Sequence, residues 1–272
     1  MNKPTVSVCI PVYNAEKTIA STIQSVLDQT FQDWQLIIVD NCSNDKTVNV
    51  IKSFNDKRIH LFQNETNCGM VNNWNKCLEK VDTDYIQLLC ADDLLEKQCI
   101  EIKYKFLSEH ENLVAVSSGT LIINEDNKII YKRRHFSRDC IINGNKIIKT
   151  SFRTKNIFGE PSNVMFKRTV MQKAGIFLNT LPYSPDWEYW LRLAKYGDFA
   201  FLKDYLVRYR VSSFNETSNL FKKRDILKRD EETFISSVRT NPDITKFDVL
   251  IHKMNIFLRF YARLRFLTFF AK

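Results

Sequence analysis

The stretch VSVCIPVYNAEKTIASTIQSVLDQTFQDWQLIIVDN, residues 6–41, decides the architecture of this chain. VSVCIPV (6–12) is a continuous apolar run rich in β-branched residues, and QLIIVDN (35–41) is a second. Between them Ile19, Ile23, Val26 and Leu27 recur at i, i+4, i+7 and i+8, the stripe of a helix laid on a sheet. Strands without polar alternation are buried on both faces, as in a mainly parallel sheet covered by helices on either side.

The alternation continues to about residue 125. RIHLFQN (58–64) and YIQLLCA (85–91) are two further strands. Ser43 and Asp45 give a capping signal for a short helix through Val48, Ile51 and Phe54. Met70, Trp74, Leu78 and Val81 mark the next helix, and Ile100, Ile102, Tyr104 and Leu107 another. The predicted class is α/β, a Rossmann-like, mainly parallel sheet flanked by helices. Ligands of such sheets bind beyond the carboxyl ends of the strands, so polar residues there should converge on one crevice. Strand one runs into Pro11, Val12, Tyr13 and Asn14; strand two ends in Asp40; strand three leads to Asn67; strand four ends in Asp92 and Asp93.

The adjacent pair in CADDLLEK (90–97) calls for an explanation, because each carboxylate disfavours ionisation of the other. A hard divalent cation, Mn²⁺ or Mg²⁺, bound by one or two carboxylates and by substrate phosphates supplies one. A helix N-cap, with Glu96 near the third position, supplies another. No GxGxxG or GxxxxGK[ST] follows any strand, and the chain has only 6 glycines. Phosphates would therefore be held by a metal and side chains.

Composition is that of an ordinary globular protein: 272 residues, 44% hydrophobic and 26% charged. The 7 cysteines are scattered with no CxxC, which argues against a disulfide framework or a zinc site. The N-terminal apolar run is too short for a signal peptide, and no stretch reaches the ~18 apolar residues of a membrane span; the expectation is a cytoplasmic protein. Net charge is +9, and residues 222–272 contribute 12 basic against 6 acidic residues. Nucleic acid is not the expected partner, because the strand-end residues are acidic and amide rather than basic and aromatic.

Together with NETNCGMVNNWNKCL (64–78) and SPDWEYWLRLAKYGDFAFL (184–202), these segments make residues 4–210 resemble the inverting family 2 glycosyltransferases of GT-A fold. The resemblance implies a nucleotide-diphosphate sugar donor, UDP-sugar favoured, and a glycan or lipid-linked glycan acceptor in surface polysaccharide synthesis. It implies that Pro11, Tyr13 and Asn14 begin the nucleotide pocket, that Asp40 bonds the base, and that Asn67 lies near the nucleotide. CADD then matches a DxD-type motif, with Asp93 as metal ligand and Asp92 near the ribose or sugar. Cys90 departs from the aspartate common there, which leaves the division of labour between the two open. Asp186 matches the catalytic base, with a capping role as its alternative and Glu188 as competing base. Glu160, Pro161 and Ser162 are placed near acceptor or donor sugar, although Gly159 and Pro161 also mark a turn. Arg210 pairs with a phosphate or forms a structural ion pair, and Ser212 stands where relatives often carry histidine.

The expected domains are a catalytic domain over 1–214, with a nucleotide-binding half at about 1–125 and an acceptor half at about 126–214, and a basic helical extension over 215–272. Its last helix, HKMNIFLRFYARLRFLTFFAK (252–272), is too charged to span a bilayer. A surface contact through 251–272 at the inner face of the membrane fits it, as does packing on the domain or in a homodimer. Two other functions remain: an inactive glycan- or nucleotide-sugar-binding relative, and a metal-dependent nucleotidyltransferase.

Overall fold

In the computed structural model, which describes residues 4–211 and 224–256, the first apolar run becomes an inner strand of a ten-stranded sheet. All seven residues of β1 (Val6–Val12) are buried. It pairs in parallel with β2 (Trp34–Asp40) on one side and β4 (Tyr85–Leu88) on the other, and β3 (Ile59–Gln63) closes the edge beside β2. Beyond β4 the order is β9 (Met165–Lys167), β6 (Leu113–Ile123), β10 (Asp198–Arg210) and β5 (Leu94–Leu95). β7 (Ile129–Arg133) pairs with β6, and β8 (Cys140–Ile142) with β10. β1 to β4, β6 and β10 run one way; β5, β7, β8 and β9 run against them.

Strand side chains alternate between the two faces. Cys9, Ile37 and Val39 enter one core, and Val8, Ile10, Leu36 and Ile38 the other. Each such aliphatic side chain contributes roughly 1.5–3 kcal/mol by burial. β3 differs from the expected buried strand: His60 and Phe62 are exposed while Ile59 and Leu61 are half-buried, as suits an edge.

α1 (Ile19–Leu27) buries Ile19, Ile23 and Val26, and α3 (Met70–Glu79) buries Val71, Trp74 and Leu78. α2 (Thr47–Lys52) follows β2, and the Asp45 side chain accepts from the Thr47 N–H. α4 (Cys99–Ser108) covers the sheet with Ile100 and Leu107, while Ile102 and Tyr104 are only partly buried. Its fully buried Lys103 donates to the carbonyl of Asn163 at 3.0 Å, and burial lowers its pKa. The second half adds α5 (Gly144–Arg153), α6 (Arg168–Ala174) and α7 (Pro185–Leu193).

The expected extension is packed on that half where it is described. α8 (Arg224–Val238) and α9 (246–256) lie against α5 and α7. Buried Asp248 ion-pairs with Arg153 and accepts from Thr245. His252 stacks on Phe152 with centroids 4.4 Å apart and its Nδ1 bonds the Phe152 carbonyl. Among the described residues no helix is long and apolar enough to cross a membrane. Most of the expected surface-binding helix, 257–272, and Ser212 lie outside the described residues.

Candidate active site

Beyond the strand ends the loops are tied to one another by short polar side chains. After β1 the chain turns at Asn14, whose φ is 48°. Its N–H donates to Ser43 Oγ at 2.9 Å, its Oδ1 accepts from the Asn44 N–H at 3.0 Å, and the Ala15 N–H donates to Thr47 Oγ1 at 2.7 Å. This latch leaves Tyr13 46% exposed at the mouth of a crevice. A second set of amides shapes the neighbouring wall. Asn41 Nδ2 donates to Asn67 Oδ1 at 2.9 Å, and Asn41 Oδ1 accepts from Asn64 Nδ2 and the Cys68 N–H, both at 3.0 Å.

Of the strand-end residues, Pro11, Tyr13, Asn14, Asn67 and Asp92 line the crevice. Asp40 does not. It is fully buried behind Asn41, with Oδ2 accepting from the Ser43 N–H and Oδ1 meeting no partner among the described residues.

Asp93 lies outside the crevice lining as well. It has no exposed surface; its Oδ1 accepts from the Arg210 N–H at 3.0 Å and its Oδ2 from Ser162 Oγ. A carboxylate enclosed in this way joins two loops. Asp92, beside it, lines the crevice. Burial raises the pKa of both, and for Asp93 the neighbouring charge of Asp92 raises it further.

Ser162 is likewise structural rather than sugar-facing. Its Oγ accepts from the Cys90 N–H while donating to Asp93, and its carbonyl accepts from Gln87 Nε2 at 2.8 Å. Glu160 and Pro161 do face the crevice. Gly159 makes the turn possible: its φ is +96°, and a Cβ there would come within 2.7 Å of Asn163 Nδ2. Arg210 lines the crevice and also ties loops together. Its Nε donates to the Asp92 carbonyl at 2.8 Å and its Nη atoms to the Asn124 carbonyl and Asn127 Oδ1, tying the β6–β7 turn to the aspartate pair.

Asp186 reaches the crevice from the opposite half. It does not cap α7: Ser184 occupies the cap, Pro185 begins the helix and Asp186 lies in the first turn, where the helix dipole favours an anion. Asn156 Nδ2 donates to its Oδ2 at 3.2 Å. Burial lifts its pKa from 3.8 to about 7; the Trp187 N–H opposes this and the charge of Glu160 adds to it. Glu188 is excluded as base by its orientation. It is 2% exposed and bound to Arg192 at 2.8 Å and to Ser237 Oγ at 2.6 Å, away from the crevice.

The crevice holds about 2330 Å³, more than double the roughly 300–1,000 Å³ of a pocket for one drug-sized ligand. Two molecules fit side by side. Four residues that motif reading passed over also shape it: Asn41, Asn156, Arg133, which ion-pairs with Glu160, and His135, whose pKa is lowered to about 4 by burial and by Lys155 and Arg133. Ion-pair partners from distant loops leave no local pattern. Asn156 had one, an amide just ahead of a glycine turn.

The family model for glycosyl transferase family 2 matches residues 7–175. The chain belongs to glycosyl transferase family 2. Over 223 residues it is 30% identical to the putative teichuronic acid biosynthesis glycosyltransferase TuaG of Bacillus subtilis, covering 81% of this chain and 84% of that one. Over 219 residues it is 29% identical to WfgD of Escherichia coli, a UDP-Glc:α-D-GlcNAc-diphosphoundecaprenol β-1,3-glucosyltransferase, covering 80% and 81%. The fold is the GT-A arrangement seen in residues 1–349 of Staphylococcus aureus TarS, solved in complex with UDP-GlcNAc. That likeness has a TM-score of 0.71 at 17% identity and covers 93% of this chain and 71% of that one. The mannosyltransferase PcManGT of Pyrobaculum calidifontis, solved with GDP-Man and Mn²⁺, is similar with a TM-score of 0.67 at 15% identity, covering 94% and 70%. As a family member the protein is a glycosyltransferase. The matched segment ends before α7, so Asp186 and the C-terminal helices lie outside it.

Proposed function

We propose that this family 2 enzyme is a metal-dependent inverting glycosyltransferase. It moves a sugar from a nucleotide-diphosphate donor, with a UDP-sugar favoured, to a hydroxyl of a glycan or lipid-linked glycan in surface polysaccharide synthesis. One observation carries the reading: two carboxylates, Asp92 at the strand ends and Asp186 at the head of α7, face one crevice with room for donor and acceptor. The nucleotide belongs on the wall of Pro11, Tyr13, Asn14 and Asn67, with the exposed Tyr13 ring for the base. Asp40 keeps one oxygen without a partner among the described residues, and a base N–H would satisfy it once the side chains covering it give way. Residues up to about 125 then serve the donor and those from about 126 the acceptor, and the described residues 224–256 extend the second half.

Asp186 is the base. A hydroxyl is a poor nucleophile until a carboxylate takes its proton during attack, and a carboxylate titrating near 7 suits that task at neutral pH. Asn156 holds its Oδ2 and so orients the carboxylate in the crevice. Attack on the anomeric carbon from the face opposite the leaving diphosphate inverts the centre.

The residues present fit a Mg²⁺ or Mn²⁺ ion. Among the described residues no group of three or more His, Cys, Asp or Glu forms a cage, and these ions need only one or two carboxylates beside substrate phosphates and water. Asp92 would hold the ion, in place of the expected Asp93. When bound, the ion neutralises charge on the leaving diphosphate.

The names of the relatives support this choice: WfgD uses UDP-Glc and a lipid-diphosphate acceptor, TarS was solved with UDP-GlcNAc, and PcManGT with Mn²⁺. A cytoplasmic enzyme peripheral to the inner membrane face agrees with the exposed Phe247, Leu250 and Met254 on α9, flanked by Lys246 and Lys253. The test is to incubate the protein with Mn²⁺ and a panel of UDP-, GDP- and dTDP-sugars and follow the products by NMR. Release of a nucleoside diphosphate with an inverted anomeric centre, reduced about 10²–10⁴-fold in Asp186→Asn, is expected. Retention of configuration contradicts the mechanism, pyrophosphate marks a nucleotidyltransferase, and no turnover marks an inactive binding relative.

A further inference from the structure

We infer that Trp187 is the platform of an acceptor-sugar subsite completed by α8 and α9, so that the acceptor presents a sugar ring rather than a bare phosphate or lipid alcohol. The inference rests on the glycosyl-transfer reading and assigns its acceptor sugar a subsite. Of the four tryptophans, Trp34, Trp74 and Trp190 are 1%, 7% and 0% exposed in the core. Trp187 alone is partly open, on the crevice wall and next in sequence to Asp186. It lies in the first turn of α7 and is partly exposed there.

The ring is held in place. Its Nε1–H donates to Ser151 Oγ at 2.8 Å, Phe234 of α8 packs against it at 4.6 Å, and His252 of α9 lies at 5.9 Å. α8 also fixes the turn that leads to the base. The buried Asp230 carboxylate accepts from the Tyr183 N–H at 2.8 Å and from Ser184 Oγ. The platform and Asp186 are thus set on one rigid support.

The chemistry of the surroundings selects a carbohydrate. A sugar ring has an apolar C–H face, which lies on the negative face of an aromatic ring, and an edge of hydroxyls that needs donors and acceptors. Glu231 and Lys253, whose charges attract one another, both line this end of the crevice and supply acceptor and donor. Asp230, Glu231 and Glu232 outnumber Lys228 and Lys253 there, so a phosphate is disfavoured.

Saturation-transfer NMR on the full chain tests this, with methyl glycosides of glucose, galactose, mannose, rhamnose, N-acetylglucosamine and N-acetylgalactosamine as probes at millimolar concentration. At least one glycoside should receive saturation through its ring C–H protons. Trp187→Phe, which keeps a π face, should retain the signal, and Trp187→Ala should weaken it about tenfold. If Trp187→Ala does not fold, Trp187→Leu takes its place, having apolar bulk without a π face. Equal signals in wild type and the Ala or Leu variant, or none from any glycoside, overturn the inference. Thermal shift by UDP or GDP with Mn²⁺, measured on the same samples, reports the donor site separately. Nucleotide binding without sugar binding rejects the platform alone; the absence of both rejects the transferase reading with it.

Discussion

Replacing Asp186 by asparagine should slow transfer about 10²–10⁴-fold and at the same time stabilise the protein at alkaline pH. Burial lifts the Asp186 carboxyl from 3.8 to about 7. The folded state then holds this proton more tightly than the unfolded chain, so stability falls as pH rises from about 4 through about 7 and stays low above it. Holding the carboxylate ionised inside the fold costs up to about 4 kcal/mol at pH 8. Solvent reaches the partly buried group from the crevice, and asparagine forfeits the charge-strengthened bond from Asn156. The net gain expected from the variant is therefore about 1–2 kcal/mol, or roughly 2–8 °C in Tm for a domain of this size. Thermal unfolding at pH 8 and pH 4 measures it: Asp186→Asn should melt higher than wild type at pH 8, with the gain gone at pH 4. A variant that melts lower than wild type at both values refutes the reasoning, since the carboxylate would then be a stabilising group rather than one kept ionised at a cost.

The acid limb of kcat/KM should show an apparent pKa of about 7, activity rising with pH as Asp186 loses its proton; a limb near 4 would point to a fully solvated base. Asp93→Asn should lower stability by about 1–3 kcal/mol, because Ser162 or Arg210 loses its acceptor, yet preserve metal-dependent nucleotide binding, which isothermal calorimetry would report. Glu188→Gln should lower Tm by several degrees through loss of the buried pair with Arg192 while leaving the transfer rate within about twofold. A large loss of rate with an unchanged Tm would return Glu188 to the list of bases.

What could be read from the sequence was the set of strand ends. Continuous apolar runs flanked by helical stripes fix a doubly covered sheet, and the topology then gathers Pro11, Tyr13, Asn14, Asn67 and Asp92 without further information. The burial of Asp93 beside a crevice-lining Asp92 was hidden, because the direction of a turn residue is set by Ser162, 69 residues away, and by Arg210, 117 residues away. Two signals were present and unused. Asp186 and Glu188 lie about 200° apart on a helix, so only one can face a crevice, and Arg192 at i+4 from Glu188 marks an ion pair. His60 between the apolar residues of RIHLFQN, and Gln63 directly after them, foretold an edge strand. The contribution of α8 and α9 to the wall had no local signature, since Asp230 and Phe234 read as ordinary members of a charged amphipathic helix.

The central claim is that a nucleotide and a divalent cation meet at Asp92 while Asp186 acts elsewhere in the same crevice. Thermal unfolding of wild type, Asp92→Asn and Asp186→Asn with UDP, GDP or dTDP, with and without Mn²⁺, tests it most directly. At ~100 times its dissociation constant a nucleotide adds about 2.7 kcal/mol of stability. The expected result is a rise in Tm of several degrees for wild type and Asp186→Asn with one nucleotide and only with the metal, and no rise for Asp92→Asn. A nucleotide that shifts Asp92→Asn as strongly as wild type, or none that shifts wild type under any condition, contradicts it.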